Sequence, residues 1–226
     1  MTTLPLTKLR HSIALALLAG ALFAVPGCNY LAPAVILLTP PPSRDAQYTL
    51  DKSRVTVIFV DDPQNKVPRR SLRQIMGQTA EQTLISKGVM PANMLIPSQA
   101  ALQLTSRESE SAKYSIVDVG RTLGAEVVVY ARIEGFGLTS DGVTLKPYAV
   151  AQVRVLDAKN NMRLWPEAGT DFPVIYQGSQ QVGEAPKGAS ERAQAERALA
   201  ERLGLEIART FFKYEIERES PSGKAD

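Results

Sequence analysis

Val55-Thr-Val-Ile-Phe-Val60 and Glu126-Val-Val-Val-Tyr-Ala-Arg-Ile-Glu134 constrain this fold more than any other segments. Both are rich in β-branched residues. The first reads as a buried strand stopped by Asp61-Asp62-Pro63, and the second is the strongest strand signal in the chain. Between them the period changes from strand to helix. Ser71-Leu-Arg-Gln74 has capping-box spacing and opens a helix to about Lys87. Its apolar face is Leu72, Ile75, Met76, Thr79, Leu84 and Ile85, and Gly88 closes it. Asn93–Pro97 reads as a short strand. Ser98 caps a short helix over Gln99–Leu104, and Ser115–Leu123 forms further helical turns with Ile116, Val119 and Leu123 on one face.

After the second strand the pattern turns antiparallel. Tyr148–Leu156 alternates, Asp157-Ala-Lys-Asn-Asn161 supplies a turn, Met162–Trp165 returns, and Phe172–Gln181 adds a further strand or strand edge. Ala189 to about Ile216 reads as one long helix. Ala195, Leu199, Leu203, Ile207, Phe211 and Tyr214 form its apolar stripe. At about 40 Å such a helix outruns a typical strand of about 17–20 Å, so one end is expected to extend beyond the sheet. The expected class is α/β with an α+β tendency. Its sheet is mixed, in the order β-α-β-α-β-β-β-α, with helices packed on it and a long helix at the C-terminus.

Residues 1–27 form an address rather than part of the fold. Lys8, Arg10 and His11 precede Ile13–Val25, an apolar run of 13 residues without a charge. A bilayer core needs about 20 helical residues, so the run fits the apolar core of a secretory signal. Val25-Pro26-Gly27-Cys28 resembles the lipobox of bacterial lipoproteins, with Pro26 a departure from the usual middle residue. The resemblance implies cleavage before Cys28 and its lipidation. Three acyl chains, as in that family, hold a protein firmly, whereas one anchors weakly. Residues 28–52 are then the lipidated cysteine and a Pro-rich tether containing Pro40-Pro41-Pro42, residues 53–216 a single periplasmic α/β domain, and residues 217–226 a disordered tail.

Composition narrows the chemistry. The chain holds one His and one Cys, so it cannot build a Cys/His metal site or a disulfide framework, and because the one His is His11, cleavage of the leader also leaves no triad that needs His. Cleavage before Cys28 leaves 199 residues with 24 basic and 23 acidic side chains and no His. That balance gives no electrostatic case for nucleic acid. There is no Gly-x-Ser-x-Gly elbow, no phosphate loop of the Gly-x-x-x-x-Gly-Lys type, and no spacing that singles out Glu126, Glu134 or Asp141 as a carboxylate pair. No catalytic residue, resident metal or cofactor is expected.

Leu123-Gly-Ala-Glu-Val-Val-Val-Tyr-Ala-Arg-Ile133 resembles the helix, Gly-Ala-Asp, strand step of a periplasmic α/β domain family. That family includes the curli secretion lipoprotein, the lipoprotein activators of penicillin-binding proteins and the N-terminal domain of the TolB propeller protein. Val155–Trp165 resembles its hairpin, with Asn160-Asn161 where Thr-Gly is common. The resemblance spans about Ser53 to Phe212 and implies a shared fold, not a shared activity.

Three residue clusters are candidate sites. Asp61 and Asp62 follow a buried strand and could bind a divalent ion, although neighbours on an extended chain point to opposite sides. Arg69, Arg70 and Arg73 gather at a helix start, where they oppose the dipole and could grip an acidic partner. Phe211, Phe212 and Tyr214 are a third, partner-binding candidate on the last helix. The leading expectation is a non-catalytic, membrane-anchored envelope lipoprotein. It would face the periplasm, favour the outer membrane over the inner, and bind another envelope protein or a second copy of itself. The rivals are a subunit of an oligomeric secretion channel, which needs amphipathic hairpins where Gly135–Lys146 and Pro166–Pro173 are short, and a carboxylate-based hydrolase or small-ligand binder.

Overall fold

The computed structural model describes residues 42–106, 114–139, 141–182 and 185–216. The described residues divide into two units: 44–214, and the terminal pieces 42–43 and 215–216. Within the second unit the Ile216 N–H donates to the Pro42 carbonyl at 2.7 Å. Everything below concerns the first.

Six strands form one mixed sheet: β1 (Thr56–Asp61), β2 (Leu95–Ile96), β3 (Val127–Gly137), β4 (Tyr148–Asp157), β5 (Met162–Trp165) and β6 (Phe172–Gln177). The order is β2-β1-β3-β4-β5, with β6 also on β4. Strand β1 runs parallel to β2 and β3, and every other pairing is antiparallel. β5 pairs with the Val155–Asp157 end of β4 and β6 with its Tyr148–Val153 end, so β4 carries two short strands on one side. Among the described residues there are four helices: α1 (Arg70–Ser86), α2 (Ser98–Thr105), α3 (Ile116–Leu123) and α4 (Ala189–Arg209).

Strand alternation divides the core in two. On one face Ile58, Val60, Val129, Ile133 and Val153 meet Leu72 and Met76 of α1 and Leu203 and Ile207 of α4. On the other, Val57, Phe59, Val128 and Tyr130 meet Ala101 and Leu102 of α2 and Val117 and Val119 of α3. The two long helices cross closely at Gly204. A Cβ there would lie 2.4 Å from the Met76 carbonyl oxygen, so only glycine fits.

The mixed sheet, the helices on it and the long last helix agree with expectation. The further strand expected over Phe172–Gln181 is β6, which ends at Gln177. Helix α1 begins at Arg70 with Arg69 as N-cap and no side-chain cap, so Ser71 lies inside the helix and the capping box is not formed. Ser98 likewise is the first residue of α2, with Pro97 as its cap. Ser115 does cap α3, accepting from the Asp118 N–H at 3.1 Å, and Gly124 ends it at φ 78°. Helix α4 stops at Arg209 rather than near Ile216, and its 21 residues span about 30 Å. Its end is made by tertiary contacts. Gln47 and Tyr48 N–H groups both donate to the Thr210 carbonyl, at 2.8 and 3.3 Å, while Phe211 turns into the core.

Candidate functional site

Helices α2 and α3 cover only one end of their face of the sheet. Beneath them the outward side chains are apolar: Val57, Phe59, Val128, Tyr130 and Leu156. At their margin the face becomes polar, with Asp61 on β1, Arg132 and Glu134 on β3, and Gln152 and Arg154 on β4. Beyond that band it becomes apolar again, with Val150 half-buried, Tyr148 40 % exposed and Ile175 on β6 56 % exposed. A face solvated for its own sake would stay polar to the end. Here no described helix lies over the second apolar stretch.

The Tyr148 ring lies flat along β3. A Cβ at Gly135 would come within 3.2 Å of its Cε2, and one at Gly137 within 2.6 Å of its Cε1. The two glycines follow a register shift between Ile133 and Gly135, which returns alternate residues to the outer face. A shallow cleft of about 240 Å³ opens beside the ring, between Lys146, Pro147, Val150 and Gln177.

The polar band lines a second groove of about 460 Å³ that includes Arg132, Glu134, Gln152, Arg154, Asp171 and Pro173. Arg132 Nε stands 2.8 Å from Glu134 Oε1, and Arg154 Nη1 stands 3.8 Å from Asp171 Oδ2. Arg163 on β5 also pairs with Asp171. The Arg154 guanidinium lies 4.9 Å from the centre of the Tyr130 ring. Tyr130 donates to Asp61 Oδ2 at 2.9 Å, and burial together with that carboxylate pushes its phenol far above the ordinary tyrosine range. Three buried atoms of the band, Gln152 Oε1 and the Nε atoms of Arg154 and Arg163, have no hydrogen-bond partner among the described residues. Two of these atoms, on Gln152 and Arg154, belong to residues that line the groove, and Arg163 stands beside it on Asp171.

The candidate residues read from the sequence are placed differently. Cys28 lies outside the described residues. The arginine cluster is tied inward: Arg69 pairs with Glu196 of α4, Arg70 donates to the Leu102 carbonyl, and Arg73 stands 4.0 Å from Asp61. Asp61 also accepts its neighbour's N–H at 2.8 Å, and Asp62 closes the following turn by accepting from Lys66 and Val67 N–H, each at 2.8 Å. Among the described residues no three His, Cys, Asp or Glu side chains are grouped to hold a metal ion. Phe211 is 3 % exposed and belongs to the core, leaving no surface for a partner. Phe212 and Tyr214 are half-buried, with ring centres 6.3 Å apart and Arg209 over Tyr214.

The remaining carboxylates have local duties. Glu126 holds Lys159 at 2.6 Å and Arg54 at 3.4 Å, and the Lys159 hydrogen bond draws its carboxyl below the usual range. Asp141 accepts from Thr144 N–H at 2.7 Å and Val143 N–H at 2.9 Å, which holds its carboxyl far below that range. A separate cavity of about 280 Å³ lies beyond the end of β3, over Phe136 and Leu138, with Lys66, Arg192 and Glu196 at its rim.

The open apolar end was legible only in part. Alternation along Tyr148–Leu156 puts Tyr148 and Val150 on one face, but nothing in the sequence says that α2 and α3 stop short of them.

No family model matches the chain, and no curated protein matches it. Solved structures similar to it include the PelC dodecamer from Paraburkholderia phytofirmans, at 12 % identity over 75 % of this chain and 98 % of that one, with a TM-score of 0.36. They also include lipoprotein GNA1162 from Neisseria meningitidis, at 10 % identity over 67 % of this chain and 99 % of that one, with a TM-score of 0.37. A third is the LpoB C-terminal domain from Escherichia coli, at 15 % identity over 56 % of this chain and 84 % of that one, with a TM-score of 0.32. At these values the likeness carries no argument, and the functional reading rests on the surface itself.

Proposed function

We propose that this chain is a lipid-anchored lipoprotein of the bacterial envelope. Its domain faces the periplasm, the outer membrane being favoured over the inner, and works as a non-catalytic protein-binding or assembly module. The observation that carries the docking surface is the return of exposed apolar side chains, Tyr148 and Ile175, at the end of the sheet face that no described helix covers. A protein seated there removes that apolar area from water, at roughly 25 cal/mol per Å². The adjoining groove presents Arg132, Glu134, Gln152, Arg154 and Asp171, polar side chains that can meet the polar rim of such a partner. The anchor rests on the lipobox-like Val25–Cys28 that holds the chain's one cysteine. Attachment to a membrane raises the domain's effective concentration toward a partner in the same membrane.

The test is crosslinking in intact cells, followed by recovery of the protein and mass spectrometry. The reading expects one envelope protein in stoichiometric yield from the native chain. That capture should be lost from Tyr148→Ala, which removes the exposed ring, and from Cys28→Ala, which removes the anchor. An undiminished capture from Tyr148→Ala moves the docking surface elsewhere. Capture retained by Cys28→Ala shows that the anchor plays no part in docking.

A further inference from the structure

Strand β6 is an edge of the sheet, and its hydrogen-bond parity can be worked out. The Gly178 N–H donates to the Pro147 carbonyl at 2.8 Å, which makes 147 and 178 a hydrogen-bonded pair. In an antiparallel ladder such pairs alternate with open ones. Tyr176, Val174 and Phe172 therefore bond Ala149, Ala151 and Val153, while Gln177, Ile175 and Pro173 occupy the alternate positions. Pro173 agrees with this assignment, because its missing N–H falls where none is needed for β4. The N–H and C=O of Ile175 and Gln177, and the C=O of Pro173, consequently point away from the sheet. Among the described residues no strand pairs on that side.

Such an edge is normally blunted by charge, a bulge or extreme shortness. Phe172-Pro-Val-Ile-Tyr-Gln177 carries no charge, spans six residues and leaves Ile175 56 % exposed, with Pro173 as its one protective residue. A cleft of about 70 Å³ separates this strand from Arg44, Gln47, Glu206, Arg209 and Tyr214.

We infer that β6 pairs with β6 of a second copy of this chain, antiparallel, about a two-fold axis through Ile175. The free groups are self-complementary in that register. The two Ile175 residues exchange both N–H to C=O bonds, and each Gln177 N–H meets the Pro173 carbonyl of the other copy. Every outward donor of the strand is used, and the absent proline N–H removes only the reciprocal bond at each end. Centring the pair on Pro173 or Gln177 forfeits donors. A two-fold axis normal to the sheet also places both Ile175 side chains on the same face, side by side. The two open apolar ends then become one continuous surface. This pairing goes beyond the docking reading and does not depend on the anchor.

The full chain, purified in detergent, tests it. Light scattering on the native protein at raised concentration should give twice the monomer mass. Ile175→Pro removes the outward N–H but no bond to β4, and should return the monomer mass with an unchanged circular dichroism spectrum. If that variant does not fold, Gln177→Pro removes the other outward N–H in its place. Second, with Cys28→Ala making an introduced cysteine the single thiol, Ile175→Cys should crosslink with a short bis-maleimide at least ten-fold faster than Met162→Cys, which is 59 % exposed on β5. The expected Cα separation across the axis is about 5.5 Å. A native chain that stays monomeric, a dimer that survives both proline variants, or equal crosslinking rates overturns the proposal. An edge that serves an extended segment of some other protein would appear as the first of these.

Discussion

Arg54 Nη2 donates to Asp157 Oδ2 at 2.8 Å, joining residues 103 positions apart across the starts of β1 and β3 and the end of β4. The Asp157 side chain is 7 % exposed and also accepts the Asn160 N–H at 2.8 Å, which forms the turn into β5. One carboxylate thus fixes both a long-range strand contact and a local hairpin. Burial alone would raise its pKa, but the Asn160 N–H and the Arg54 guanidinium outweigh burial and leave it below the usual range.

The sign of the pH dependence follows. A carboxyl whose folded pKa is depressed stabilises the fold fully above its unfolded value, about 3.9, and loses that contribution as pH falls through the lower folded value. Asp157→Asn should lower stability by about 2 kcal/mol near neutral pH, the scale of hydrogen bonds to a charged group. The native and variant urea midpoints should converge as the pH drops below about 4. A gap between them that stays constant from pH 7 to pH 2.5 would contradict this assignment.

Gly204 governs the approach of the two long helices. A methyl group there meets the Met76 carbonyl oxygen at 2.4 Å and the Thr79 Cβ at 2.9 Å, and a backbone oxygen in mid-helix cannot step aside. Gly204→Ala should therefore destabilise the domain by about 2–3 kcal/mol, despite the better helix propensity of alanine. Gly188→Ala is the control, since a Cβ there meets nothing within 4 Å. Urea titration of both variants distinguishes close packing from a general effect of removing glycine.

Much of this architecture could be read from residue order. The runs at Val55–Val60 and Glu126–Glu134 became the parallel pair β1 and β3, because β-branched apolar runs must be covered on both faces. Gly124 and the Asp157–Asn161 turn acted as their chemistry required, with Asn161 at φ 54°. The failures were non-local. Ser71 has the spacing of a capping box, yet the helix starts before it because Arg69 and Arg70 are held by Glu196 and Leu102 from other elements. Helix α4 ends early because Gln47 and Tyr48, more than 160 positions away, take the Thr210 carbonyl. The arginine cluster looked free for the same reason: a sequence shows the cations but not which distant groups they hold.

The Tyr148 ring depends on two glycines one strand away, which separates docking from stability. Gly137→Val places a side chain 2.6 Å from Tyr148 Cε1 and must lift the ring off β3. The position is on the open end of the sheet face, and valine suits a strand better than glycine, so stability from urea titration should change by less than about 1 kcal/mol. Capture of an envelope partner should fall as far as it does for Tyr148→Ala. A variant that keeps full capture would show that the ring's position is not what a partner recognises.

Anchoring can be tested apart from the domain, through Cys28. Thirteen apolar residues at about 1.5 Å each reach about 20 Å, less than the roughly 30 Å of a bilayer core, so Ile13–Val25 is a poor permanent span. If the lipobox-like Val25–Cys28 is processed, the native chain should lose its first 27 residues, incorporate labelled palmitate and stay with membranes in high salt and in alkaline carbonate. Cys28→Ala should take up no label and keep a mass larger by the leader. A native chain that is unlabelled and elutes from membranes in salt would instead mean that attachment is electrostatic, and the 24 basic and 23 acidic residues that remain after cleavage give little basis for that.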